Sequence, residues 1–221
     1  TEEEIIRPEN LVYKKPTLLN DTPMHYCPGC SHGVVTNSGR SHRRNGYGEQ
    51  DRSHLSCGCA VFAYNYIDVD WVEAAHGRAP AVASAIKRLW PDRLVFTYQG
   101  DGDLACIGTA ESIHALNRGE HIAIIYQQRH LRHDGRTNGS HDAHGNENRY
   151  VPLRREADLH GYPLKFTEIA ASLEGTCYVT RQSVHTVASI RKQKRPSGKL
   201  LKIHERQSAS LVEVVSTCNA G

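Results

Sequence analysis

Cys27 and Cys30 bracket Pro28 and Gly29 in CPGC, a tight-turn sequence that lets two thiolates serve one centre. Such a pair suits zinc, an iron–sulfur cluster or a redox dithiol, and does not choose among them. Cys59 in GCA and Cys218 in STCNAG each sit among small residues, where backbone can approach a cluster, and four sulfurs would complete a site. Cys106 falls within a helical pattern and Cys177 at a strand start, where free cysteines are expected to pack in the core. The second candidate is GDG at 100–102, directly after the strand-like run LVFTY. Amides at a helix start can hold a diphosphate there, and Asp101 can bind the Mg²⁺ that bridges it.

These residues need a scaffold. LVFTY at 94–98, HIAIIY at 121–126, CYVTR at 177–181 and SLVEVVS at 210–216 read as strands. Helical patterns run from Ala79 to Trp90, from Ile107 to Leu116, through FTEIAASLEG to Gly175, and through SVHTVASIRK. Pro80 suits the start of the first of these and Pro91 stops it. Strands alternating with helices predict an α/β fold whose mostly parallel sheet is covered by helices on both faces. Two stretches, 36–57 and 126–155, lack apolar periodicity and are rich in His, Arg, Asn and Gly. Structureless loops of more than about 15 residues are uncommon in a compact domain, so their length needs a cause.

The bulk composition narrows the classes. With 27 basic and 24 acidic residues, the field of the chain gives no case for nucleic acid or an anionic membrane as partner. No apolar run approaches the roughly 18 residues of a membrane span, and the start TEEEIIRPEN has no signal-peptide pattern, so a cytoplasmic location is expected. Seven cysteines, an odd number, argue for thiols or metal ligands over a disulfide framework.

In combination, CPGC with His32, GCA, AAHGRAPAVASAIK, QGDGDLACIGTAE and the final STC resemble, in that order, the β subunits of 2-oxoacid:ferredoxin oxidoreductases. The resemblance implies a thiamine-diphosphate-binding fold over 1–221 as one domain. It implies a [4Fe–4S] cluster on Cys27, Cys30, Cys59 and Cys218, a diphosphate and Mg²⁺ site at Gly100, Asp101 and Gly102, and His76, Gly77 and Arg78 near the thiamine. The cofactor would carry the decarboxylation, the cluster would take electrons one at a time, and coenzyme A would accept the acyl group. Implied partners are an α subunit, with γ and δ subunits as further candidates, and ferredoxin. Pyruvate, 2-oxoglutarate and 3-methyl-2-oxobutanoate all remain as substrates.

The resemblance fails at one place. The family sets an Asn-Asn pair after its GDG turn, in a loop of the type INNAIYGMTGGQ, to complete the Mg²⁺ shell. Here Tyr126, Gln127, Gln128 and Arg129 stand instead; the extra methylene of Gln misplaces its oxygen, and a cation beside Mg²⁺ is unfavourable. One legal codon choice for residues 126–140, read from the second base, gives INNAIYGMTGGQMA. The same operation on 39–57 gives AEVIEEMGMESKTDRISPV, and a third-base start at Arg195 gives AIRKAFE. Residues 36–57, 126–155 and about 195–209 are therefore expected to lie out of frame, through errors in the read or decay of the gene. The single Met and the six of 14 His that fall in the first two stretches fit this, so pairs such as His130 with His133 are not expected to bind metal. The chain stops three residues after Cys218, where these subunits continue, so truncation is expected too. A decayed subunit that holds a cluster without the cofactor, and a zinc-binding interaction module, are the competing expectations.

Overall fold

The computed structural model describes residues 19–37, 52–56, 58–130, 162, 164–190 and 208–217, with 52–56, 58, 59, 129, 130 and 217 described by backbone alone. Six parallel strands form one sheet: β1 (Arg52–Ser56), β2 (Asp70–Glu73), β3 (Leu94–Gly100), β4 (Ala123–His130), β5 (Thr176–Ser183) and β6 (Ala209–Thr217). Their order across the sheet is β2-β1-β3-β4-β6-β5. The helices named from the described residues are α1 (Ser31–Asn37), α2 (Ala79–Leu89), α3 (Thr109–Asn117) and α4 (Phe166–Ser172), with a 3-10 helix at Gly58–Asn65 and a π-helical turn at Gly102–Ile107.

β3 shows why this sheet needs cover on both sides. All its residues from Leu94 to Gln99 are buried. Val95 joins Leu104, Ile122, Ile124, Tyr126, Phe166 and Leu211 in one core, while Phe96 and Tyr98 join Ala60, Ala63, Ala123, Ile125, Val212 and Val214 in a second. Alternate residues of a pleated strand point to opposite faces, so Ile124 and Ile125 serve different cores. Burying each such side chain is worth about 1.5–3 kcal/mol, and the continuous apolar runs are those of a sheet with no wet face.

The expected α/β architecture and four expected strands are present. Two differences concern the unpatterned stretches. Residues 52–56 form β1, seated between β2 and β3, and β4 runs on to His130 beside β6, with Gln127 opposite Val214. Backbone pairing fixes these segments, on both sides for β1 and with β6 alone for β4 beyond Gln127, and it demands no apolar periodicity of the side chains. The helix expected at 183–192 begins later, because β5 continues through Ser183; residues 187–190 are helical and the last two lie outside the described residues. Cys177 is exposed and Cys106 only half-buried, so neither is the core residue the sequence suggests: Cys177 lies at the irregular start of β5, and Cys106 in the π-helical turn.

Candidate functional site

In a parallel sheet the loops after the strands share one edge. Here β1 leads into the helix carrying Cys59, β2 into His76, Gly77 and Arg78, and β3 into Asp101 and Gly102, while Cys218 follows β6. The chain passes outward from β1 to β2 and then returns to β3 on the other side of β1, which makes the β1–β3 crevice a topological switch point.

The GDG turn closes on itself. Asp101 has helical backbone angles, and its carboxylate accepts from the Gly102 amide at 2.9 Å. The segment that follows is a π-helical turn, with α3 beginning only at Thr109, so the helix start expected near Ile107 is displaced. Gly100 faces open space: a Cβ built there would meet no heavy atom within 4 Å.

The residue that organises the site is Asp103, which the sequence reading passed over. Its buried carboxylate accepts from the Gly77 amide at 2.7 Å and from Gln99 Nε2, and bonds His76 Nδ1 at 2.9 Å. It thereby joins the HGR turn to the GDGD turn. Backbone contact reinforces the junction: Gly77 has φ +78°, and a Cβ on Gly108 would lie 2.6 Å from Gly77 O. Asp103 O also accepts from the Gly108 amide at 2.9 Å. Arg78 sits at the N-cap of α2, and its guanidinium pairs with Glu111 of α3. The signal in the sequence was the repeated acid of GDGD, two residues beyond the one assigned to metal.

Gln127, in the place where an amide ligand for Mg²⁺ is expected, is engaged elsewhere. Tyr98 Oη donates to its Oε1 at 2.9 Å, and its Nε2 donates to Ser216 Oγ at 2.8 Å. Tyr98 Oη also bonds His32 Nδ1 at 2.5 Å. All four side chains are buried, so a polar chain crosses from α1 through β3 and β4 to the end of β6. Among the described residues no group of three or more His, Cys, Asp or Glu side chains that could hold a metal ion occurs.

The CPGC turn is closed by a hydrogen bond from the Cys30 amide to Cys27 O at 2.8 Å, with Gly29 at φ +75°. Cys27 is exposed and Cys30 buried. Tyr26 stacks on His32 and meets Phe62 and Tyr66, with ring centroids 5.4, 6.3 and 5.4 Å apart, so the turn packs on the helix that carries Cys59. Asn20 N donates to Tyr66 O at 2.9 Å and His25 N to Tyr66 Oη at 2.7 Å, fixing the approach to the turn. Cys27 and Cys30 are the two thiols described at this turn. The Cys59 side chain and Cys218 lie outside the described residues.

A family model described as thiamine pyrophosphate enzyme, C-terminal TPP binding domain, matches residues 56–212. The chain belongs to this thiamine pyrophosphate enzyme family. Its relatives are more particular. It is 37% identical to the ketoisovalerate oxidoreductase subunit VorA of Methanothermobacter marburgensis, over 99% of this chain and 47% of that one. The VorA subunit of Methanothermobacter thermautotrophicus is 36% identical over 94% of this chain and 46% of its own. The 2-oxoglutarate synthase subunit KorB of Archaeoglobus fulgidus is 33% identical over 47% of this chain and 39% of its own. The motif-based resemblance to 2-oxoacid oxidoreductase subunits therefore holds. The chain spans about half the length of the VorA relatives. Among solved structures, 2-oxoglutarate:ferredoxin oxidoreductase from Magnetococcus marinus superposes with a TM-score of 0.76 at 20% identity, covering 94% of this chain and 69% of that one, which shows the shared fold. No helix of the described residues is long and apolar enough to cross a membrane.

Proposed function

We propose that the chain is the thiamine-diphosphate-binding β subunit of a 2-oxoacid:ferredoxin oxidoreductase. The reaction converts a 2-oxoacid, coenzyme A and two oxidised ferredoxins to acyl-CoA, CO₂, two reduced ferredoxins and a proton. The observation that carries this reading is the junction of the HGR and GDGD turns on Asp103 beside the open space at Gly100. Bound thiamine diphosphate would supply the electron sink for decarboxylation. This chain's residues would bind and orient it: Gly100, Asp101 and Gly102 at the diphosphate, His76, Gly77 and Arg78 nearby. Cys27, Cys30, Cys59 and Cys218 would hold a [4Fe–4S] cluster, and an α subunit, with γ and δ subunits, would complete the enzyme in the cytoplasm. The longer match to ketoisovalerate oxidoreductase than to 2-oxoglutarate synthase favours 3-methyl-2-oxobutanoate as substrate.

Anaerobic purification with its partner subunits, iron analysis and a coenzyme A-dependent viologen-reduction assay test this. About four irons per chain and reduction driven by 3-methyl-2-oxobutanoate are expected; one zinc and no iron would overturn the cluster assignment.

The engagement of Gln127 favours a second reading, a subunit whose literal chain lacks a complete Mg²⁺ shell because residues 126–155, with 36–57 and about 195–209, are out of frame. Peptide mapping of the subunit from its source cells decides between them. INNAIYGMTGGQ would mean an intact enzyme, and YQQRHLRHDGR an ancestral fold without the activity.

A further inference from the structure

The CPGC turn has the residues and the hydrogen bond of a type II β-turn. Pro28 stands at its second position and Gly29 at its third with φ +75°, while the Cys30 amide donates to Cys27 O at 2.8 Å. The end residues of a β-turn lie within about 7 Å of one another, Cα to Cα, and a disulfide spans about 4.4–6.8 Å between the same atoms. The backbone therefore holds the two cysteines within reach of a disulfide.

The turn is held from both sides. Tyr26 packs on His32, Phe62 and Tyr66, His25 N donates to Tyr66 Oη, and α1 begins directly after Cys30. Pairing of the sulfurs then depends on side-chain rotation and not on moving a helix or strand. The two thiols differ in access: Cys27 is exposed, whereas Cys30 is 9% exposed. A disulfide in solution meets the first sulfur and is screened from the second, and reactivity in thiol–disulfide exchange follows such access.

We infer that, in the chain without bound metal, Cys27 and Cys30 are a dithiol that closes reversibly into a disulfide, with Cys27 as the entry sulfur and Cys30 as the resolving one. The oxidant is a low-molecular-weight disulfide such as oxidised glutathione. The Cys27 sulfur attacks it, one glutathione thiol leaves, and a mixed disulfide remains on Cys27; the Cys30 sulfur then attacks the Cys27 sulfur and releases the second glutathione thiol. The cysteine pair gives up two electrons and two protons, and the glutathione disulfide takes up both. The closed loop is four residues long, so the bond gains little from chain entropy and excess thiol reopens it. Two sulfurs bonded to each other cannot serve a metal, so metal loading at CPGC waits for reduction. The inference does not depend on which metal the turn takes up.

The test uses the full chain with its partner subunits, stripped of metal by anaerobic chelation, reduced, and moved into glutathione buffers that run from fully reduced to fully oxidised. Acid quenching, alkylation of the remaining thiols and peptide mass mapping read the result. Trypsin releases residues 15–40 as one peptide that holds Cys27, Cys30 and no other cysteine. From the reduced buffer this peptide is expected to carry two alkyl groups, and from the oxidised buffer none, with the loss of two hydrogens. Cys30→Ser is expected to retain one glutathione on Cys27, and Cys27→Ser to carry none on Cys30. A wild-type peptide that stays doubly alkylated in the oxidised buffer, carries glutathione on each cysteine, or is cross-linked to another cysteine peptide overturns the inference, as does a glutathione adduct on Cys30 in Cys27→Ser. The wild-type measurement stands whether or not either variant folds, and absence of iron from the untreated complex would overturn the cluster assignment while leaving this inference in place.

Discussion

The Tyr98 hydroxyl donates to Gln127 Oε1 at 2.9 Å while bonding His32 Nδ1 at 2.5 Å, so one oxygen joins the helix after CPGC to the centre of the sheet. Tyr98→Phe removes that oxygen and leaves two buried polar groups without this partner. Leaving a buried group unsatisfied costs about 1–3 kcal/mol, and the variant is expected to lose stability on that scale in urea titration. An unchanged midpoint would show that water or repacking satisfies both groups.

Gln127 Oε1 accepts from Tyr98 Oη and its Nε2 donates to Ser216 Oγ, so turning the amide toward a metal would break both bonds. Gln127→Leu should lower the urea midpoint yet leave the Mg²⁺ dependence of thiamine diphosphate binding as it was. A lost or displaced Mg²⁺ dependence would return Gln127 to the metal shell.

Gly77 cannot be replaced without moving its neighbour. An alanine there would adopt φ +78° and place Cβ 2.8 Å from both Gly108 N and Ile107 Cγ2. The left-handed conformation alone costs roughly 1–2 kcal/mol. Gly77→Ala is expected to exceed that in chemical denaturation and to weaken cofactor binding, whereas Gly33→Ala, whose nearest contact would be Met24 Sδ at 3.7 Å, should be mild.

Glu120 governs part of the acid limb of stability. Burial pushes its carboxyl up, but hydrogen bonds from Arg88 and Arg118, at 2.5 and 2.9 Å, outweigh this and hold it below its ordinary 4.5. A carboxyl depressed on folding stabilises above its unfolded pKa and loses that contribution as pH falls through the folded value. The stability deficit of Glu120→Gln should therefore be full at pH 7 and shrink below about pH 4.5, as read by thermal melts across that range.

Arg181 of β5 reaches the wholly buried Glu213 of β6 at 2.7 Å and grips Glu168 of α4 through both terminal nitrogens, at 3.0 and 3.1 Å. Glu213 also accepts from Thr167, which bonds the Tyr126 hydroxyl at 2.7 Å; burial, then the charge of Glu213, push that phenol far above its ordinary range. Arg181→Leu strands the Glu213 carboxylate. The variant is expected to lower the urea midpoint, because a buried carboxylate is left without its paired cation. An unchanged midpoint would show that the ion pair contributes nothing to stability.

The sequence was most legible where one physical rule acts alone. The runs LVFTY and SLVEVVS are buried on both sides, so their residue types announce strands, and Pro80 and Pro91 mark the limits of α2. It was least legible at β1 and at the end of β4. There RSHLS and QQRH owe their conformation to neighbouring backbones, and no side-chain period records that. At the site, GDG and HGR could be found as motifs, yet Asp103 acts through its contact with residues 26 and 27 positions earlier. Such long-range carboxylate contacts leave no local pattern.

The abutting backbones of Gly77 and Gly108 leave no room between the two turns for a side chain, so neither turn can swing away from the other without breaking the Asp103 bonds. On the function proposed above, the loops that would meet the cofactor are therefore held together before it arrives. The conformational entropy that a flexible loop would surrender on binding would already have been lost during folding, so cofactor affinity would not be reduced by having to order them.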